Sequence, residues 1–378
     1  MKNILYYILP LCFALAGCIE PYHADIKGIE SILVVEGFIT GGTTQITLTK
    51  SVNPDVSPNH DFIAVDHALV YVACDDGTQS DVTRSSGNGK YLIPTGELKM
   101  DAKYCLVIQS DDHEYRSEFL SLPAIAPPIN VSLLCDSVDI HVSVNSHGND
   151  GQTGYYLWSY KEDWEIHSYM YGPWVYLEIR NRFGWISLVR TANDLRSVNN
   201  RYYCWRADSS KYYIMGTTDN LTDNNIRERK LLSFPRTDDR IFLFYHVQVT
   251  QNRVHKEAYD YFYNVQKNME QTGSIFGHIP SEIKGNIRCI TNPDIPVIGY
   301  VEVCTASMAS QWLDNKFYDP SVRDGKCVDP FVIPFGRAAE PGNGLVPYYA
   351  GYVVEYCVDC TKMGGTKRKP KDWPTDNI

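Results

Sequence analysis

Beyond its first eighteen residues the sequence has no apolar run approaching the roughly 20 residues that a membrane-spanning helix requires, which excludes a protein built of spanning helices. Neither GxSxG nor HExxH occurs, so the local signatures of α/β-hydrolases and zinc peptidases are missing. There is no sustained alternation of strand and helix patterns and no internal repeat, which argues against a doubly wound α/β enzyme and against a solenoid. Positive charge is scarce: 35 basic face 45 acidic side chains, a net −10, and this argues against nucleic acid as a partner. The ten histidines are scattered. His141 and His147, six apart, would share one side of a regular strand, yet solvent-facing positions account for them as well.

What is present begins at the N-terminus. Lys2 supplies a positive start, Ile4 to Leu15 form an apolar stretch suited to a signal-peptide core, and Leu15-Ala16-Gly17-Cys18 places small residues before a cysteine. That order is what lipoprotein export needs, and it predicts removal of residues 1–17 and acylation of Cys18. Lipid chains on one residue anchor a domain stably without any span. Residues 18–30 then read as a lipidated tether; Glu20 is too little acidity to decide which face of the membrane the protein occupies.

From Ile32 to Phe119 short β-type runs are punctuated by turn-formers such as Gly41-Gly42, Asp75-Asp76-Gly77 and Gly87-Asn88-Gly89. This spacing predicts an antiparallel β-sandwich, Ig-like or prealbumin-like, over residues 31–126. Leu122 to Ile129, with Pro123, Pro127 and Pro128, has the composition of a stiff connection. A larger β-rich domain is expected over 127–365, with alternation clearest at Ile241, Leu243, Tyr245, Val247 and Val249. One stretch changes period: Ala258, Tyr261, Phe262, Val265 and Met269 form a helical stripe that Gly273 closes, predicting one substantial helix. Lys367, Arg368, Lys369 and Lys371 make a basic stretch in a final segment, 366–378, read as a solvated tail.

Aromatics are abundant, with 27 Tyr, 13 Phe and 7 Trp, and they crowd between Tyr155 and Tyr176. Such residues serve as core and as cross-strand pairs, and exposed ones serve as binding surfaces. Trp158, Trp164, Trp174 and Tyr171 are the candidates for ligand contact. Glu162 and Asp163 beside Trp164 have the residue types of a sugar-cleaving site, but neighbours on a strand point to opposite faces, leaving Glu165 as the partner available to Asp163.

Nine cysteines follow Cys18, so in an oxidising compartment some should pair and at least one should remain without an intramolecular partner. Cys357-Val-Asp-Cys360 has the spacing of half a zinc site or of a redox pair. The second CxxC, the nearby histidines and the helix that opens a redox motif are absent, so a structural disulfide from Cys357 or Cys360 to Cys327 is expected and no metal or cofactor is.

Three groups of residues, taken in order, resemble a known family. They are Cys18-Ile19-Glu20-Pro21-Tyr22 leading to Ile32-Leu33-Val34-Val35-Glu36-Gly37; Glu257-Ala258-Tyr259-Asp260-Tyr261 through Gln271-Thr272-Gly273-Ser274-Ile275-Phe276, with Gly285-Asn286-Ile287 and Gly299-Tyr300; and Cys357-Val358-Asp359-Cys360, Gly364-Gly365-Thr366, Pro370 and Trp373. Together they resemble the Bacteroidota lipoproteins of the domain of unknown function 4249. Asp372 departs from the pattern, where an aromatic before the final Trp is more typical, and so do the additional cysteines. The resemblance implies an outer-membrane lipoprotein, frequently encoded near TonB-dependent transporters, and carries over no catalytic residue.

The expectation is therefore a non-enzymatic accessory of a TonB-dependent outer-membrane barrel, capturing a ligand or covering the barrel mouth. A structural or adhesive envelope protein is the alternative. A hydrolase comes third, and would require Asp163, Glu165 or His141 to converge in a deep polar cleft.

Overall fold

The computed structural model describes residues 31–51, 62–148, 151–169, 174–179, 182–187, 201–271, 283–317, 327, 333–334, 345–348, 351–371 and 373–374. Cys18 and Tyr171 lie outside the described residues, as does the tether. The chain is mostly β, in several largely antiparallel sheets, with one long helix among the described residues. No helix among the described residues is long and apolar enough to cross a membrane.

The first unit contains β1 (Leu33–Ile39), β2 (Gly42–Ser51), β3 (Phe62–Ala64), β4 (Leu69–Cys74), β5 (Lys90–Gly96), β6 (Lys103–Ser110), β7 (His113–Ser117) and β8 (Leu120–Ser121). Alternation drives the packing: Leu33, Val35, Ile46, Leu48, Tyr91 and Ile93 on one sheet face Val70, Val72, Leu106 and Ile108 on the other, and all are buried in one core.

The second unit contains β9 (Ile129–Cys135), β10 (Asp139–His147), β11 (Tyr155–His167), the hairpin β12 (Trp174–Ile179) and β13 (Arg182–Ser187), then β14 (Tyr203–Ser209), β15 (Ile214–Thr217), β16 (Asn225–Pro235) and β17 (Phe244–Val254). Helix α1 (Lys256–Gln271) follows, where the 3.6-residue stripe places it. Next come β18 (Ile287–Cys289), β19 (Val297–Gly299), β20 (Glu302–Val303) and β21 (Thr305–Asp314). The last elements are β22 (Ile333–Pro334), β23 (Leu345–Tyr348), β24 (Gly351–Val354) and the single-turn helix α2 (Glu355–Val358), with β22, β24 and β23 forming a small sheet.

Strand pairing does not respect a single cut near residue 127. β18 joins the first unit by pairing β7, and β19 and β20 pair β1 in parallel, so a sandwich expected to be antiparallel is completed by mixed pairing from a distant segment. These runs are two or three residues long, too short for alternation to show which sheet they join. The residues that carry the family resemblance hold this return in place. Asn286 donates from Nδ2 to the Val301 carbonyl and accepts at Oδ1 from the Val301 N–H, both at 2.8 Å. Gly299 has φ +139°, and a Cβ there would lie 2.2 Å from the Val35 carbonyl oxygen, so only glycine allows β19 to approach β1 so closely.

In the second unit a three-stranded sheet, β16-β10-β9, packs on a five-stranded one in which β14-β11-β17-β21 run side by side and β15 also pairs β11. Trp158, Trp164, Ile166, Tyr245, Val247 and Val249 meet Ile140, Val142 and Val144 in the core between them. The connection rich in proline lies along this unit: the Pro127 carbonyl accepts from Gln251 Nε2 at 3.0 Å and from the Ser307 hydroxyl at 2.8 Å, and the Ala126 N–H donates to Thr305 Oγ1 at 2.8 Å. A smaller cluster, Phe38, Leu157, Met215, Val254, Ala258 and Cys304, joins helix α1 to both units.

The basic stretch is not a free tail. Thr366 forms a β-bridge with Trp205, the Lys367 ammonium bonds the Tyr203 carbonyl and lies 5.9 Å from the Trp205 ring centroid, and Trp373 is buried. Burial pushes the Lys367 amine down to about 8. Charge density alone suggested solvation; an apolar anchor two residues past the last cation reverses it.

The expected disulfide is Cys327–Cys357, and a second one, Cys204–Cys360, pins the approach to the docked tail. Cys360 therefore belongs to a different bridge from Cys357. Cys74, Cys105, Cys135, Cys289 and Cys304 are free thiols.

Candidate functional site

Where the two units meet around α1, a cleft of 540 Å³ opens, within the range of small-ligand sites. Its first wall is the edge of β1 and β2 at Glu36 and Gln45, and its floor is the outer face of β11 and β17 at Ser159, Lys161 and Thr250. The remaining walls are aromatic. Tyr213 of the β14–β15 turn and Phe262 of α1 line it with ring centroids 5.4 Å apart, buried Phe38 of β1 packs against both at 5.2 and 5.8 Å without lining the cleft, and Tyr261 of α1 sits 5.1 Å from Tyr300 between β19 and β20. Burial pushes the Tyr213 phenol up to about 12 and raises those of Tyr261 and Tyr300, so all three present neutral hydroxyls at physiological pH. The β14–β15 turn separates this cleft from a neighbouring cavity of 1030 Å³, whose other wall is α1 at Tyr259, Tyr263 and Lys267; Tyr212, 60% exposed, stands between the two. Flat apolar faces with a few fixed polar groups are surroundings whose chemistry suits a partly apolar ligand of small-molecule size.

The residues expected from sequence to contact ligand are disposed differently. Trp158 borders the larger cavity, but its ring is fully buried and its N–H donates to Gln251 Oε1 at 2.9 Å. Trp164 is a core residue beneath the Arg240 guanidinium, 5.4 Å from its ring. Both tryptophans have even numbers on β11, and that face packs inward against β9, β10 and β16; core packing therefore takes the rings that sequence offered for binding. Trp174 is in β12, whose side chains are not described. Tyr212 and Tyr213 are not singled out by sequence, where the available signal is two adjacent tyrosines in a short turn between strands, and Tyr300 enters only through the family resemblance.

The acidic residues also separate. Glu162 faces inward, accepting from the Tyr245 hydroxyl at 2.6 Å, and burial raises its pKa. Asp163 and Glu165 share the outer face of β11, but Glu165 is buried, with the Trp373 N–H 3.4 Å from its Oε2. His141 is on the other sheet, 2.9 Å from Asp136, and His147 contacts Asn225. The convergence a hydrolytic site needs does not occur among these residues. No group of three His, Cys, Asp or Glu able to hold a metal ion occurs among the described residues.

Residues 19–310 match the family model for the domain of unknown function DUF4249. The chain belongs to the DUF4249 family. The match takes in both sandwiches, α1 and the returning strands, and so covers the walls of the cleft. It ends within β21, so the similarity noted at Cys357 to Trp373 lies outside the matched residues of this DUF4249 protein. No match was found among curated proteins.

Proposed function

We propose that this DUF4249 protein is an outer-membrane lipoprotein, held by acylated Cys18, that captures a ligand in the cleft between its two β units and presents it to a TonB-dependent transporter without catalysing a reaction. The observation that carries the binding part is the cleft itself: aromatic walls contributed by three separate chain segments, with neutral tyrosine hydroxyls and a small set of polar groups on the floor. The anchoring part rests on Leu15-Ala16-Gly17-Cys18 after an apolar segment, and the transporter part on the resemblance described above.

Tagged protein solubilised from its own membranes in mild detergent is expected to bring a TonB-dependent barrel with it in near-stoichiometric amount. Recovery of the protein alone, or with surface-layer components, would overturn the accessory role. Cys18→Ala is expected to move the protein from the membrane fraction to the soluble fraction with its thermal midpoint unchanged, and retention in the membrane would contradict lipid anchoring.

A further inference from the structure

A second concave site lies away from the cleft, on the outer face of the five-stranded sheet. Strand register sets its floor: Ala207, Asp163, His246 and Trp312 form one row across β14, β11, β17 and β21, and Gln248 and Ser310 belong to the next. Thr366, Arg368, Lys369, Pro370, Lys371 and Trp373 wall this face, which bounds 810 Å³. Trp312 packs on His246 at 4.2 Å with the rings tilted by 31°, touches Trp373 edge-on at 5.0 Å, and remains 37% exposed, so part of its ring is open to the groove. Burial lowers the His246 pKa, leaving a neutral ring at physiological pH. Trp205, also in the lining, has a buried indole N–H without a partner.

The rim is cationic in an otherwise acidic protein. Arg368, Lys369 and Lys371 line the groove, and none has a carboxylate within ion-pair distance among the described residues. By contrast, Arg206 in the same lining is committed to Asp239, and Lys367 to the Tyr203 carbonyl. Uncommitted cations brought together by a docked segment favour an anionic group. The floor adds an aromatic face, an amide, a hydroxyl and a carboxylate, the groups that pack on and hydrogen-bond a polyhydroxylated ring.

We propose that this groove binds an anionic saccharide, with Trp312 stacking on a sugar ring, Asp163, Gln248 and Ser310 bonding its hydroxyls, and Arg368, Lys369 and Lys371 holding its carboxylate or sulfate. The site is independent of the cleft and does not require the transporter role.

Affinity electrophoresis of the full chain in non-ionic detergent tests it, with polygalacturonate, dextran sulfate, uncharged dextran or polyglutamate in the gel. Retardation is expected with at least one of the two acidic polysaccharides and not with dextran or polyglutamate, and which of the two works distinguishes carboxylate from sulfate recognition. Trp312→Ala should weaken that retardation at least tenfold. Because Trp312 also packs on Trp373, the triple variant Arg368→Gln, Lys369→Gln, Lys371→Gln provides a second reading that leaves the aromatic packing alone; it should lose retardation while keeping the parent's thermal midpoint. Absence of retardation in all four gels, equal retardation by polyglutamate, or retardation unchanged in both variants would overturn the proposal.

Discussion

Removing the Cys204–Cys360 bridge by the double substitution Cys204→Ala, Cys360→Ala is expected to lower the unfolding free energy of the oxidised protein by about 3–5 kcal/mol. The cysteines are 156 residues apart and both fully buried, so the bridge closes a long loop of the unfolded chain and fills core volume between β14 and the turn leading to Thr366. The Cys327–Cys357 bridge spans 30 residues, and its loss should cost roughly 1.5 kcal/mol less, because closure entropy grows only with the logarithm of loop length. Urea denaturation under non-reducing conditions measures both. Loss of the longer bridge should also free the docked segment, exposing Trp373 and opening the basic groove. An unchanged midpoint for the Cys204 and Cys360 variant would contradict the pairing.

His255→Ala is expected to destabilise the junction of the two units by roughly 3 kcal/mol, the low end of the cost of breaking a buried ion pair, since water reaches the partly exposed imidazole. His255 immediately precedes α1, and its Nδ1 lies 2.6 Å from Oε1 of Glu302, which is fully buried in β20 at the edge of the first sandwich. No other cation lies within ion-pair distance of Glu302 among the described residues. The hydrogen bond to Glu302 raises the His255 pKa, and burial raises that of Glu302. The sign follows from linkage: a histidine with a raised folded pKa contributes stability that is full below its unfolded value, near 6.5, and is lost as pH rises through the folded value. Raised in the folded state, the Glu302 pKa acts in the same direction at lower pH. Wild-type protein should therefore lose stability relative to His255→Gln as pH rises above about 6.5. Thermal midpoints of the two proteins across that window measure it, and parallel curves would show that the pair does not hold the junction.

Much of the fold was legible because its signals are local. The 3.6-residue stripe of Ala258, Tyr261, Phe262 and Val265 marks α1, and alternation in Leu33 to Ile39 and Tyr245 to Val249 marks strands that each bury one face. Pairing was less legible. Asn286 to Ile290 and Val297 to Val303 read as strands from sequence, but nothing in runs so short says that Ile287–Cys289 and Val297–Gly299 close the first sandwich. Their destination depends on Asn286 bonding Val301 and on Gly299 fitting against Val35, contacts set by tertiary structure. The same limit applies to the site. The Tyr155 to Tyr176 stretch announced aromatics but not their direction, and on β11 the even-numbered tryptophans face the core while Asp163 faces the basic groove. The cleft draws its rings from Tyr213, Tyr261, Phe262 and Tyr300, separated by as many as 87 positions in the numbering and gathered only by folding.

The most direct test of the ligand-capture account is to purify wild-type protein and Gln45→Trp from native membranes, denature both, and identify released small molecules by mass spectrometry. Gln45 is an exposed strand residue on the cleft wall, so the larger ring should narrow the cleft enough to obstruct a ligand and leave the thermal midpoint unchanged. The account predicts a compound released in near-stoichiometric amount from the wild type and missing from the variant; a compound released equally by both, or by neither, would contradict it.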